Sequence, residues 1–369
     1  MAVDARALSP PPDPVDMLCR LVAIPSPTGQ EEAAASYLVE AMRALGLKAG
    51  LDAAGNPVGI AGRGDREVLL VGHVDTVPGD IPVRLEAGVL HGRGAVDAKG
   101  ALAAFVAAAS RFVDSPELRV VVVGAVGEEG DSRGARHLVD SGAYDPAAIV
   151  VGEPSGTDGI TIGYRGAVRL LYRVETEVAH AGAAHTSAPD AAIDFVNRLR
   201  QALDASSTPR FDAAGVTVKR LETRTDGLTT SCEALVDVRT PPGVLPDAVR
   251  EAAEKCAAVG RAVVLDAEEP VLAGKNNALV RAFLAALRAE GLAPRFVKKT
   301  GTSDMNLLAR AFPGLPILAY GPGDSRLDHT PREAVSTEDY LRSIRVVEGV
   351  LRRLAKPATG EGNRPGALR

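Results

Sequence analysis

Several acids and two histidines of this protein could hold metal ions, and most of them follow an apolar, strand-like run. His73 closes the run "EVLLVGH" and is followed two residues later by Asp75. Glu128 and Glu129 close "LRVVVVGAVGEE", and Glu153 closes "AAIVVGE". The run "LPILAYGPG" leads to His329, and Asp97 stands in "HGRGAVDAKG", just ahead of a helical stretch. Two imidazoles with several carboxylates suit zinc or a similar borderline divalent ion, singly or in pairs. A carboxylate beyond those needed as ligands is free to act as general base.

Each group has an ordinary alternative when taken singly. The His73-x-Asp75 pair could close a turn, and Glu128-Glu129 before "GDSRG" could be a solvated loop. Glu153 before Pro154 could cap a turn, and His329 before Thr330-Pro331 could sit on the surface. Asp97 could be the N-cap of its helix, with Lys99 a solvated neighbour. None of these accounts for the joint pattern, in which every expected parallel strand outside the middle segment delivers a ligand type at the same end. Burying so many like charges without a cation would be costly.

The elements that must position these groups are legible from pattern. Pro14 to Leu45 predicts two helices broken at "IPSPTG", and Ala98–Val113 predicts another. Continuous β-branched runs alternating with helices predict a largely parallel α/β sheet covered on both faces. In such sheets ligands bind beyond the carboxyl ends of the strands. Between Arg165 and Val271 the texture changes to alternating strands ("AVRLLYRVET", "CEALVDVRT") and two helices ("APDAAIDFVNRLRQALD", "PDAVREAAEKCAAV"). The expected organisation is therefore a first catalytic part over residues 1–164 and an inserted α+β domain over 165–271. The catalytic domain resumes over 272–357, starting with a helix at Asn277–Glu290, and a disordered tail follows over 358–369.

The bulk properties exclude several classes. Lys+Arg 42 against Asp+Glu 47 gives a formal charge of -5 without a long block of either sign, so no nucleic-acid partner is expected. No apolar run approaches the roughly 18–20 residues that span a bilayer, and no membrane partner is expected. The N-terminal residues lack a signal-peptide pattern. Cys19, Cys232 and Cys256 are unpaired in spacing, which points to a reducing cytoplasm rather than a disulfide framework. No Gly-x-Ser-x-Gly elbow favours a serine hydrolase.

The motifs "GHVDTVP", "GRGAVDAKG", "GEEGDSRGARHL", "VGEPS" and "DHTP" resemble metallopeptidase family M20, in the family's order and over nearly the whole chain. The resemblance implies a catalytic domain with two divalent metal ions, zinc first, with cobalt or manganese as alternatives. It also implies an inserted lid domain that mediates homodimerisation. Carried over by motif, His73 and Glu153 hold one ion, Glu129 and His329 the other, and Asp97 bridges them. Asp75 orients the His73 ring, and Glu128 is the base that takes a proton from the attacking water and passes it to the leaving amine.

The lid motif "GAAHTSAPDAAID" assigns His185, rather than His180, to stabilise the developing oxyanion. Arg165 and Arg239 match positions that bind a substrate carboxylate, or else form an ordinary ion pair. Gly301-Thr302-Ser303 resembles a loop beside the substrate and also reads as a helix cap. His91 and His137 fit no motif position.

Within the family, "KKTGTSDMNLLA" and "YGPGDSRLDHTP" look most like enzymes that free lysine or ornithine from a small acidic amino-group carrier protein. An acidic carrier needs basic contacts, for which Lys298, Lys299, Arg326 and Arg332 are the candidates. The alternatives are a deacetylase or desuccinylase acting on a free small molecule, or a non-catalytic binding protein on the same scaffold.

Overall fold

The computed structural model describes residues 13–356 except 181, so the Pro-rich leader and the tail at 358–369 lie outside the described residues. The described chain forms two compact units. The first takes residues up to Ile160, Lys275–Arg295 and the chain from Leu315 onward; the second takes Thr161–Gly274 and Phe296–Gly314. Residues 296–314 thus pack with the second unit, although they stand in the sequence beyond the expected insertion.

In the first unit a mixed, mostly parallel sheet runs in the order Lys48–Leu51, Pro57–Gly62, Leu118–Ala125, Arg66–His73, Ala148–Gly152, Ile317–Ala319. Lys48–Leu51 pairs antiparallel with Pro57–Gly62, which pairs antiparallel with Leu118–Ala125, and the remaining neighbours are parallel. The parallel strands are apolar along their middles because they are buried there: Val68–Val71, Val120–Val123 and Ile149–Val151 are at most 2% exposed.

Register sets the strand ends level. His73 pairs with Ala125, Gly72 with both Gly124 and Gly152, and Ala319 with Val151. Residues following those positions therefore emerge together at one edge of the sheet.

The same register aligns three glycines, and they make room for a helix. Lys99–Ala109 is buried on every side, which explains its run of alanines. A Cβ at Gly72 would lie 3.1 Å from the Leu102 Cβ, one at Gly124 3.1 Å from Leu102 Cδ2, and one at Gly152 2.9 Å from Phe105 Cε2. The helix starts immediately after Asp97, so its close seat on the sheet also places that carboxylate. Ala98 is its N-cap residue, and Asp97 makes no cap. The side chain read as a solvated neighbour, Lys99, is 1% exposed instead. Its ammonium donates to Leu21 O (3.2 Å) and Ile24 O (2.6 Å), tying this helix to the end of Pro14–Ala23.

The second unit is built on a four-stranded antiparallel sheet, ordered Gly215–Thr225, Thr229–Thr240, Gly166–Glu177, Arg261–Glu268. Helices Ala188–Ala202 and Pro246–Cys256 cover it through a core that includes Val168, Leu170, Val236 and Leu199. Tyr172 stacks on Phe195 with ring centroids 4.2 Å apart.

The glycine row yields a prediction. Gly152→Val would drive a branched side chain into Phe105, Ala101 and the Gly72 backbone. Overpacking of this kind costs about 1–3 kcal/mol, so thermal unfolding should move down by several degrees. An unchanged midpoint would mean that the helix is not seated by these glycines.

Candidate metal centre

The strand ends bring the predicted ligands together within the first unit. His73, Asp97 and Glu129 each offer a ligand atom, and those atoms lie within 4.8 Å of one another. The Asp97 carboxylate is shared: Oδ1 is 3.3 Å from His73 Nε2, and Oδ2 is 3.0 Å from His329 Nε2. His329 Nε2 also lies 2.7 Å from Glu129 Oε1. Glu153 directly follows Gly152, which pairs with Gly72, so it leaves the sheet beside His73 and is 7% exposed. Glu128 is half-buried, and its charge is felt at His73.

Asp75 is fully buried, and it acts differently from its expected role. The His73 Nδ1 faces the Asp75 backbone carbonyl at 2.9 Å, whereas the nearest Asp75 carboxylate oxygen is 3.6 Å away. The carboxylate instead accepts the backbone N–H of Glu128 (3.0 Å) and of Glu129 (3.1 Å), and the Thr28 hydroxyl (2.8 Å). It thereby shapes the turn that presents both glutamates. Asn56, also fully buried, fixes the residue leading into that turn: its Oδ1 accepts Val126 N–H and its Nδ2 donates to Gly134 O.

The protonation chemistry of this cluster fits a cation. A carbonyl oxygen only accepts, so the His73 Nδ1 carries the proton and a neutral ring turns its Nε2 lone pair toward Asp97. A lone pair facing a carboxylate needs a positive charge between them. Burial alone would lower the His73 pKa, but Asp75 and Asp97 outweigh it and raise it well above its ordinary value. Asp97 and then Glu129 push His329 up to about 10. Asp97 is in turn held below the usual carboxylate range: burial opposes this, and His329 and His73 overcome it. Divalent ions on these nitrogens and oxygens would replace the protons that the cluster otherwise retains.

His185, Arg165, Arg239, the Gly301–Ser303 loop, Lys298 and Lys299 belong to the second unit, and His137, Arg326 and Arg332 to the first. Arg165 is buried, with Nε donating to Thr300 O at 2.8 Å and Nη1 reaching Arg210 O and Ala213 O at 3.3 and 3.4 Å. Arg239 pairs with Asp237 (2.8 Å) and donates to the Thr302 hydroxyl (3.1 Å). Ser303, next to Gly301 and Thr302, caps the Asp304–Ala311 helix in a reciprocal box with Asn306. His185 is exposed, in the turn before Ala188–Ala202. His137 lies 3.9 Å from Asp52. Lys298 sits over the Phe211 ring, 5.0 Å from its centre, and Arg326 is paired with Asp324 at 2.6 Å.

The model of peptidase family M20/M25/M40 matches residues 69–353. The chain belongs to this family. It is 42% identical to a LysW-lysine hydrolase of Deinococcus radiodurans over 94% of this chain and 99% of that one. A putative LysW-lysine/LysW-ornithine hydrolase of Thermococcus kodakarensis is 40% identical over 92% of both chains. Among solved structures, an M20 family metallo-carboxypeptidase from Sulfolobus solfataricus superposes with a TM-score of 0.75 at 18% identity, covering 93% of this chain and 99% of that chain. This M20 chain is accordingly a hydrolase, and its ligand types stand at the strand ends of the family's fold.

The sequence reading missed Thr28 and Asn56 at this site. Each is a polar residue far along the chain from the acids it serves, and only the loop geometry brings them together. In Asp75→Asn, the amide nitrogen would face a backbone N–H or the Thr28 hydroxyl, and the Glu128-Glu129 turn would loosen. Replacing a partner behind metal ligands typically costs about 10–100-fold in metal affinity. The measurement is zinc affinity by competition with a chromophoric chelator, and wild-type affinity in Asp75→Asn would refute this role.

Proposed function

We propose that this protein hydrolyses the amide joining lysine or ornithine to an acidic amino-group carrier protein. The observation that carries this reading is its likeness to LysW-lysine and LysW-lysine/ornithine hydrolases along nearly the whole of both chains. The ligand-type cluster and the neighbouring Glu128 are what such a hydrolysis needs.

In this reading His73 and Glu153 would hold one divalent ion and Glu129 and His329 a second, with Asp97 the carboxylate that the two would share. Zinc is the first choice for this donor set, with cobalt or manganese as alternatives. The ions, when bound, supply Lewis acidity that activates water and polarises the scissile carbonyl. Glu128 takes a proton from the attacking water as the oxygen adds to the carbonyl carbon. It then delivers that proton to the amine nitrogen as the C–N bond breaks. One water is consumed, a carboxylate stays on the carrier, and the amino acid leaves with its amine restored.

Asp75 holds Glu128 in place through the turn's backbone. His185 stabilises the negative charge that develops on the carbonyl oxygen, Arg239 and the Gly301–Ser303 loop receive a carboxylate of the substrate, and Arg165 supports that loop through Thr300 O. Lys298, Lys299 and Arg332 offer cationic contacts to it, and Arg326 only as a pair with Asp324. The protein works in the cytoplasm, in keeping with three free cysteines. It works as a homodimer, supported by half-exposed Leu221 and Leu265 on the two outer strands of the second unit's sheet.

Two measurements test this. Purified protein with added zinc, cobalt or manganese should release lysine or ornithine from the loaded carrier and act poorly on N-acetyl-ornithine and N-succinyl-diaminopimelate. Preference for a free acylated amino acid would replace the carrier reading with a deacylase one. Glu128→Gln should retain the wild-type metal content and lose about 10²–10⁴-fold in kcat. Wild-type turnover in that variant would remove Glu128 as the base.

A further inference from the structure

Glu333 is a buried acid to which neither the sequence motifs nor the mechanism gives a task. It is 1% exposed. Its Oε1 accepts two successive backbone N–H groups, those of Val96 and Asp97, each at 3.0 Å. Its Oε2 accepts from Arg93 Nη1 at 2.9 Å, and its own carbonyl oxygen accepts Gly92 N–H at 3.3 Å. Arg93 extends the network, donating from Nε to Gly79 O (3.0 Å) and from Nη1 to Thr330 O (3.3 Å).

Both ends of this network carry cluster residues. Asp97 is held through its own backbone N–H. Thr330 directly follows His329, and Glu333 stands four residues beyond it. His329 has a φ of 60°, a left-handed conformation that a residue with a side chain adopts at a cost and keeps only where its surroundings impose it. A charged acceptor with two backbone donors and a guanidinium forms strong, directional bonds. Removing that acceptor strands buried N–H groups.

We propose that Glu333, completed by Arg93, is a positioning residue. It fixes the Asp97 segment against the His329 segment, so that one carboxylate can face both imidazoles. The inference rests on the reading of Asp97 and His329 as metal ligands. It assigns to Glu333 no contact with metal or substrate, and it separates the residue from an ordinary buried ion pair by what its loss does. An ordinary pair supports stability alone, whereas a positioning residue sets metal affinity in a protein that remains folded.

The experiment is a zinc titration of the full chain against a chromophoric chelator for wild type, Glu333→Ala, Glu333→Gln and Arg93→Met, with circular dichroism to verify folding. Glu333→Ala should bind at least one ion 10–100-fold more weakly while folded. Glu333→Gln should recover most of that loss, because its amide oxygen still accepts both backbone N–H groups. Affinity within twofold of wild type in folded Glu333→Ala would overturn the inference, even if its unfolding temperature fell. If Glu333→Ala does not fold, Arg93→Met decides: weaker zinc binding supports the inference and wild-type affinity overturns it. Absence of zinc binding by the wild type would instead defeat the reading of the ligands themselves.

Discussion

Asp97 lies between two imidazoles that come from opposite ends of the chain, with one oxygen toward His73 and the other toward His329. That shared carboxylate is the contact on which the arrangement of the first unit depends. An acid this deeply buried is tolerated only with positive charge close by, and here the charge must come from imidazolium rings or from cations in their place. Either solution fails if the two histidines drift apart by an ångström or two. The fold therefore has to make two distant segments meet at a fixed separation, and several of its features serve that end.

The parallel register does the coarse work. Level pairing of the Arg66–His73, Leu118–Ala125, Ala148–Gly152 and Ile317–Ala319 strands brings out His73, the Glu128-Glu129 turn and Glu153 at one edge, and starts there the segment that leads to His329. The aligned glycines then let the Lys99–Ala109 helix sit close, which sets the depth of Asp97. Backbone hydrogen bonds complete the placement. Asp75 accepts the amides of the two glutamates, Asn56 fixes Val126, and Thr28 reaches in from the loop after the first helix. Glu31, 4% exposed, binds Gly29 N–H and pairs with Arg133, so that loop is itself held against the segment following the glutamates. Lys99 contributes a buried ammonium whose pKa burial pulls down to about 8, against the opposing pull of Glu333 and Asp75.

Much of this was legible in the sequence, for a physical reason. A parallel strand buried on both faces must be apolar along its length, so polar residues cluster at its end, and the types at those ends are themselves chemical information. His73, Glu129, Glu153 and His329 could be read that way without knowledge of the loops. Roles that depend on loop geometry could not. Asp75 lies two residues from His73 and was expected to hold its ring; the backbone carbonyl does so, because the carboxylate is turned toward the glutamate amides. Lys99 follows Asp97 by two and reads as solvated, yet it is buried because the first helix ends directly over it. Glu333 sits in "TPRE", a stretch indistinguishable from surface loop until Val96 and Asp97 are seen against it. In the second unit the strands Gly166–Glu177 and Thr229–Thr240 showed their alternation. Gly215–Thr225 is exposed along most of its length and carries no such pattern.

The two arginines of the second unit show how burial separates residues that a motif treats alike. Both were matched to carboxylate-binding positions, but their guanidinium groups are not equally available. Arg165 is 5% exposed and spends Nε and Nη1 on backbone carbonyls of three residues; burial and the neighbouring Arg239 lower its pKa. Turning it toward a ligand would strand those carbonyls and loosen the chain at Thr300, beside the Gly301–Ser303 loop. Arg239 keeps Asp237 as its charge partner and offers Nη1 to the hydroxyl of Thr302. A carboxylate arriving there competes with a neutral hydroxyl that water can satisfy as well, and a charged acceptor binds a guanidinium more strongly than a neutral one does. Arg239 is therefore the group whose partner can be exchanged at least cost, while Arg165 holds in place the loop that such a ligand would meet.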